Sequence, residues 1–163
     1  MSQTRSIELL NKAVADELQA IHQYLYFHFH LDDQGFRPLA DLFKRIAIQE
    51  MGHVERLADR ILFLKGDLEM AAAGPVEKIT DAAEMLAQAA GMEEASARDY
   101  NQAAVDCAAH AAAASRRVFE QLVQDEEGHF DLFDKQIDNI RCFGPSYLAL
   151  QSFAGPAAPG PEA

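Results

Sequence analysis

Cysteine is scarce and tryptophan is absent: among 163 residues, only Cys107 and Cys142 carry thiols. They lie far apart and form no Cys-x-x-Cys motif, which argues against a disulfide framework, a zinc ribbon or a rubredoxin site. We expect two free, buried thiols, which suit the reducing cytoplasm.

Basic residues are also few, with 14 Lys and Arg against 26 Asp and Glu and a net charge of −12. This charge argues against binding to nucleic acid or to anionic membranes, and it makes metal cations the more natural partners. A solvated acidic surface is the alternative for many of these carboxylates. No segment has 18 consecutive uncharged apolar residues, and the N-terminus lacks a signal-peptide pattern, so we predict a cytoplasmic protein without a membrane span.

The nine glycines and six prolines leave long stretches uninterrupted, and those stretches are rich in Ala, Leu, Glu and Gln. The pattern predicts an almost entirely helical chain. The predicted helices are A (about 4–31), B (from the turn of Pro38 to Lys65), C (from a cap at Thr80 or Asp81), D (to about 142) and a short fifth helix (146–153). Gly66 is expected to take the left-handed cap conformation, and residues 66–79 form the one long connection.

The boundary between helices C and D carries no Gly or Pro. An unbroken helix over 80–142 would be roughly 90 Å long, which is too long for a domain of this size. We therefore place a break at 110–112. The prediction is an all-α four-helix bundle with one long crossover from B to C, a single domain over 1–153, and a disordered tail over 154–163.

Two copies of a Glu-x-x-His motif, Glu50 to His53 and Glu126 to His129, place a carboxylate and an imidazole on one face of a helix. Each motif falls in the middle of its helix's apolar stripe, and Glu17 and Glu93 do so on helices A and C. Every long helix therefore carries an acid on the face that should be buried.

A single buried Glu can be explained by a local hydrogen bond. Four of them with two His in one core would be strongly destabilising without compensation, because unpaired buried carboxylates cost several kcal/mol each. Two divalent metal ions would cancel the charge of four carboxylates. Oxygen and imidazole ligands without thiolate favour iron or manganese, with zinc as a competitor.

The chain resembles the bacterioferritins over about residues 4–153. The motifs that carry the resemblance are Glu17 with Ala20 to Tyr24, Glu50-Met51-Gly52-His53, Arg60-Ile61, the lone Glu93, and Asp125-Glu126-Glu127-Gly128-His129. The resemblance implies a hollow homo-oligomeric 24-subunit cage for iron storage. It also implies a ferroxidase that oxidises Fe(II) with O₂ or H₂O₂, and a ferredoxin-type reductant for iron release.

By the same resemblance, the catalytic and metal-binding residues are the six already singled out. Glu17 and His53 would hold one iron, Glu93 and His129 the other, and Glu50 and Glu126 would bridge them. Met51, about 100° off the core stripe, would be a haem iron axial ligand shared with a symmetry-related Met51, the haem being haem b or a related porphyrin. The interpretation from the residues alone is an interface hydrophobe.

Other residues have less specific interpretations. Tyr24 either hydrogen-bonds a ligand carboxylate, donates electrons, or simply packs in the core. Glu94 and Glu127 are interpreted as solvated or interface charges. His22, His28, His30 and His110 are interpreted as surface or hydrogen-bonded histidines. The chain has Arg45 and Gln49 where some bacterioferritins place a His and an Asp as an inner-surface iron site, so no such auxiliary site is assumed.

Two further functions stay open at this level. One is a di-iron or di-manganese peroxidase or catalase of the rubrerythrin-like type, although the missing Cys-x-x-Cys module speaks against it. The other is a non-catalytic helical scaffold in which the buried acids are structural.

Overall fold

The computed structural model describes residues 2–153, and these residues form five helices and no strand. The predicted all-α fold is therefore confirmed. The helices are α1 (Ser2–Asp33), α2 (Arg37–Phe63), α3 (Ala82–Ala109), α4 (Ala113–Phe143) and α5 (Pro145–Gln151). Over this part of the chain, none of the helices has the length and apolar character needed to span a membrane. The predicted tail at 154–163 lies outside the described residues, and the domain boundaries stay a prediction.

Short turns join the helices into two antiparallel pairs, α1 with α2 and α3 with α4. The first turn uses Gly35 with a φ of +83°. The second lies at the predicted break and uses Ala111, which adopts a φ of +56° although it is not a glycine. The Ala112 amide donates to the Cys107 carbonyl at 2.8 Å, which closes the end of α3. The break is thus formed by backbone hydrogen bonds rather than by a helix-breaking residue type.

The long connection between α2 and α3 runs alongside α1 and is held by its polar side chains. Asn11 donates to the Asp67 carbonyl at 2.9 Å, and Gln19 donates to the Pro75 carbonyl at 2.8 Å. Just past the end of α1, the side-chain amide of Gln34 donates to the Thr80 carbonyl at 2.8 Å. The connection therefore follows α1 from its first turns to its C-terminal end, so that α3 starts there and runs parallel to α2. This arrangement is the predicted single crossover.

The end of α2 differs from the prediction in one detail. Lys65, not Gly66, takes the positive φ, at +60°. Gly66 is required for a different reason, because a Cβ there would lie 2.8 Å from the side chain of Ile7. Close packing of the chain against α1 therefore explains this glycine.

The core consists of two apolar clusters. One contains Tyr24, Phe27, Phe43 and Phe133, and the other contains Leu10, Leu57, Ile61, Tyr100 and Phe119, each with further aliphatic residues. The aromatic rings of Phe43 and Phe133 pack with centroids 5.0 Å apart. Cys107 is buried as predicted, but Cys142 is exposed, so the expectation of two buried thiols is wrong for the second.

Candidate metal centre

Six acidic and imidazole side chains from the four long helices lie in the interior, each at most 5% exposed. They are Glu17 on α1, Glu50 and His53 on α2, Glu93 on α3, and Glu126 and His129 on α4. These are the six residues that the apolar stripes singled out. Each is in the middle of a helix, where the backbone is fully hydrogen-bonded and the side-chain direction is determined by the helix itself.

The six residues form two overlapping groups in which one potential ligand atom per residue lies within 4.8 Å of the others. The first group contains Glu17, Glu50, His53 and Glu126, and the second contains Glu50, Glu93, Glu126 and His129. Two glutamates therefore belong to both groups. Each group offers oxygen and nitrogen ligands in a number that suits one transition-metal ion.

His53 points its Nδ1 atom into the first group. This atom lies 2.8 Å from Glu50, 2.9 Å from Glu126 and 3.3 Å from Glu17. His129 mirrors it in the second group, with Nδ1 3.0 Å from Glu50 and 3.5 Å from Glu93. The two imidazole rings stack with centroids 5.6 Å apart and planes inclined by 16°.

Several buried atoms of the centre are close to polar neighbours and yet lack a partner in hydrogen-bonding geometry. They are both carboxylate oxygens of Glu50, one oxygen each of Glu93 and Glu126, and Nδ1 of His129. Buried polar atoms without partners are rare in folded proteins because each costs about 1–3 kcal/mol. Five of them within the two overlapping ligand groups fit a site built for metal ions.

The outer glutamates, Glu17 and Glu93, are harder to ionise than exposed glutamates when no metal is bound. Burial raises the pKa of Glu17 well above its ordinary value, and the charges of Glu50 and Glu126 add to the rise. Burial raises the pKa of Glu93 well above its ordinary value in the same way. Without metal, both carboxyl groups therefore keep a proton to a higher pH than an exposed glutamate does.

The shared glutamates, Glu50 and Glu126, and the two histidines instead favour their charged forms. Burial opposes ionisation of Glu50 and Glu126, but the pKa of both carboxyl groups is lowered. The close histidines outweigh burial at Glu50, and the side chain of Glu93 together with the histidines outweighs it at Glu126. Burial likewise opposes protonation of His53 and His129, but the surrounding carboxylates raise the pKa of each imidazole to about 12. Without metal, both imidazoles are therefore protonated near neutral pH and pair with the carboxylates of Glu50 and Glu126.

Two tyrosines hold the outer glutamates. The hydroxyl of Tyr24 on α1 donates to Glu93 on α3, which is one of the roles predicted for Tyr24. The hydroxyl of Tyr100 on α3 donates to Glu17 on α1 at 2.7 Å. The sequence interpretation missed this second bond. A feature of the sequence could have indicated it: Tyr24 and Tyr100 each lie seven residues after the outer glutamate of their own helix.

A half-exposed ion pair borders the centre on the side of His53. Asp125 lies with Oδ2 3.4 Å from Nε2 of His53, and Arg56 donates to the same carboxylate at 2.6 Å. Asp125 appeared in the sequence only as part of a motif, because its helical position is off the apolar stripe. Its contact with His53 depends on how α2 and α4 pack.

The remaining sequence candidates lie away from this cluster. His28 contacts the Ala40 carbonyl through Nδ1 at 2.9 Å, and His110 contacts the Asp106 carbonyl at 2.8 Å. His30 stacks on Tyr26, with centroids 4.4 Å apart, and His22 is exposed. These four histidines match their hydrogen-bonded or surface interpretation. Exposed side chains on the helices include Arg45, Gln49, Met51, Glu94 and Glu127.

Comparison with known proteins agrees with this geometry. Residues 7–143 match the ferritin family, described as a ferritin-like domain. The bacterioferritin of Rhodobacter capsulatus is 36% identical over 91% of this chain and 92% of its own. That of Desulfovibrio desulfuricans is 36% identical over 88% of this chain and 80% of its own.

Solved structures of both relatives superpose closely. The Desulfovibrio desulfuricans bacterioferritin, described with a diiron site in different catalytic states, has a TM-score of 0.90 at 34% identity and covers 98% of this chain and 95% of its own. The Rhodobacter capsulatus structure, described with a metal-free dinuclear site and a heme iron in a crystallographic special position, has a TM-score of 0.87 at 33% identity and covers 98% of each chain. The chain therefore belongs to the bacterioferritins, a family of iron-storage ferroxidases with a ferritin-like helical bundle.

Proposed function

We propose that this chain oxidises Fe(II) at an intrasubunit di-iron centre and stores the ferric product inside a hollow oligomeric cage. The observation that carries the proposal is the convergence of six buried ligand side chains, four of which hold buried oxygen or nitrogen atoms without a hydrogen-bond partner. The proposed ligands are Glu17, Glu50, His53, Glu93, Glu126 and His129. A helical scaffold with purely structural acids would be expected to pair these atoms within the protein.

The overlap of the two groups supports different roles for the ligands. Glu50 and Glu126 belong to both groups, so we assign them as bridges between two iron ions. Glu17 with His53 would complete one position, and Glu93 with His129 the other. The four carboxylates carry a charge of −4 when ionised, which offsets the charge of two Fe(II) ions.

When bound, the two Fe(II) ions supply the electrons that reduce O₂ or peroxide. The side chains of the chain provide the conditions for that chemistry. Tyr24 and Tyr100 hold the outer carboxylates in place, and the six ligand side chains are buried away from bulk water. The protons of both histidines, and any held by Glu17 and Glu93, leave as metal binds, because each ligand must be deprotonated to coordinate.

The position of Met51 supports a further part of the proposal, that the cage carries haem at its subunit interfaces. Its side chain is 57% exposed on the outer face of α2, and Ile48, one turn earlier, is 58% exposed on the same face. Two exposed apolar residues on one face are typical of a surface that a partner covers. We propose that Met51 from each of two copies ligates the iron of one shared haem, since a methionine thioether is an established axial ligand. The Rhodobacter capsulatus relative is described with a heme iron.

Aerobic loading of purified protein with Fe(II), in large excess over two ions per chain, tests the proposal. The expected result is a soluble ferric core that elutes with a large oligomer in size-exclusion chromatography and sediments as a closed assembly. Precipitation of all iron beyond two ions per chain would contradict storage. High peroxide turnover without retained iron would instead favour a rubrerythrin-like peroxidase.

A further inference from the structure

The two metal positions of the proposed centre differ in what surrounds their histidines. Nδ1 of His53 faces the carboxylates of the centre, and its other nitrogen, Nε2, lies 3.4 Å from Oδ2 of Asp125. Arg56, three residues after His53 on the same helix, donates to that oxygen at 2.6 Å. An imidazole, a carboxylate and a guanidinium therefore stand in a row that leads from the centre to the surface.

This row has a specific chemical consequence for a metal ligand. A neutral imidazole that binds metal through Nδ1 carries its proton on Nε2, and that proton needs an acceptor. A carboxylate acceptor fixes the tautomer and the ring orientation, and it makes the imidazole a stronger ligand. Asp125 is the acceptor within reach, and Arg56 holds it there.

The second position lacks this row. Asp125 directly precedes Glu126, and the residue that directly precedes Glu50 in the other Glu-x-x-His motif is Gln49. Gln49 is neutral and exposed. Among residues 2–153, the carboxylate contacts of His129 all involve Nδ1, and no acid lies within 4.0 Å of its Nε2. An otherwise two-fold arrangement of ligands is therefore asymmetric just outside the ligand set.

We propose that Asp125, held by Arg56, is a positioning residue that makes the Glu17–His53 position bind divalent metal more tightly than the Glu93–His129 position. The inference rests on the proposed ligand assignment and extends it. Because it lacks such an acceptor, the Glu93–His129 position is expected to lose its metal ion first. The two irons of the centre are then distinct, one retained and one more readily exchanged.

A purely structural ion pair between α2 and α4 is the competing explanation. The side chains of Arg56 and Asp125 are 40% and 43% exposed, and exposed ion pairs contribute only about 0–1 kcal/mol to stability. Such a pair would affect folding slightly and both metal positions equally. Metal affinity measured separately at each position distinguishes the two explanations.

The experiment is an anaerobic titration of the metal-free protein with Co(II). Binding is monitored through the visible ligand-field absorption of the bound Co(II). Wild-type protein is expected to bind two Co(II) ions per chain in two resolved phases. In a His129→Ala background, which leaves the first position, Asp125→Asn is expected to weaken Co(II) binding by about 10–100-fold. In a His53→Ala background, which leaves the second position, the same substitution is expected to change affinity by less than about twofold.

Two further variants make the test specific. Asp131→Asn removes an exposed acid on the same helix, ion-paired with Lys135, and should leave both phases unchanged. Gln49→Asp places a carboxylate at the counterpart of Asp125 and is expected to tighten the weaker phase. Circular dichroism melting of each variant verifies that the bundle is folded.

The outcomes separate this inference from the proposed function. Two Co(II) ions binding with equal affinity, or an Asp125→Asn effect of equal size in both backgrounds, would overturn the inference and leave the di-iron centre intact. No binding of Co(II) to folded wild-type protein would overturn the centre itself.

Discussion

Tyr100 on α3 donates a hydrogen bond of 2.7 Å to Glu17 on α1, and it does so from inside the bundle, where it is 2% exposed. Tyr24 on α1 makes the reciprocal bond to Glu93 on α3. Each outer glutamate is thus oriented by a phenol from the opposite helix. This crossed arrangement ties α1 to α3, which belong to different helix pairs, directly at the proposed iron site.

Replacing Tyr100 by Phe removes this bond while keeping the ring against Phe119. We expect a loss of about 1 kcal/mol in the free energy of unfolding, because the buried Glu17 loses a donor. We also expect the initial rate of Fe(II) oxidation to fall about 10–100-fold, because Glu17 is no longer oriented. Tyr26→Phe is the control, since the Tyr26 hydroxyl makes no hydrogen bond to the described residues. Equal effects of both substitutions would contradict the role of Tyr100.

Glu50→Gln and Glu126→Gln test the assignment of bridging ligands. Each removes a charge that both metal positions need, so we expect a loss of bound metal at both positions and a fall of about 100-fold or more in Fe(II) oxidation. Metal content by atomic absorption and stopped-flow oxidation measure the two effects. Glu127→Gln is the matched control, because Glu127 is adjacent to Glu126 but exposed. Full metal content in either bridging variant would refute the assignment.

Metal binding should release protons in a defined number. Without metal, both histidines are protonated near pH 7 and must lose a proton to ligate. The raised pKa values of Glu17 and Glu93 add up to one further proton from each. We expect about two to four protons per two Fe(II) bound anaerobically. A pH-indicator dye in weak buffer measures the release, and affinity should weaken by up to about tenfold per proton for each unit of falling pH. Release of one proton or fewer would contradict this protonation state.

The pH dependence of folding should reverse when metal is added. The pKa values of Glu17 and Glu93 are raised above their ordinary 4.5, and that of His53 is raised from 6.5 to about 12. The folded metal-free state then binds more protons than the unfolded state, so its stability falls as pH rises above 4.5 and falls further above 6.5.

Glu50 and Glu126 act in the opposite sense. Their lowered pKa values contribute stability above pH 4.5 that is lost as pH falls below it. The melting temperature of the metal-free protein should therefore be highest near pH 4.5 and decline toward pH 8. With bound metal, the melting temperature should rise over the same range. A metal-free melting temperature that increases from pH 6 to pH 8 would contradict the expectation.

Met51→Leu tests the haem proposal. The substitution keeps an apolar side chain of similar volume but removes the thioether sulfur, so protein purified from haem-supplemented cells should lack the Soret absorption. Met70→Leu is the control, because Met70 is also exposed but lies in the connection between α2 and α3. Retention of haem by the Met51 variant would contradict ligation by this residue.

The sequence alone was sufficient for the helices and for all six inward-facing residues of the centre. Helical periodicity determines which residues share a face, and an acid in the middle of an apolar stripe is visible without knowing what the helix packs against. The break between α3 and α4 was also predictable, but only from the length of the resulting rod. No residue type marks it, because backbone hydrogen bonds around Ala111 form the turn.

Only the tertiary structure decided the contacts between helices. The bond from Tyr100 to Glu17 and the contact of Asp125 with His53 depend on the rotation and axial offset of one helix against another. Helical period gives the direction of a side chain relative to its own axis, but it does not give the register between two axes. That register results from the packing of all core side chains together, and it determines which polar groups surround the metal ligands.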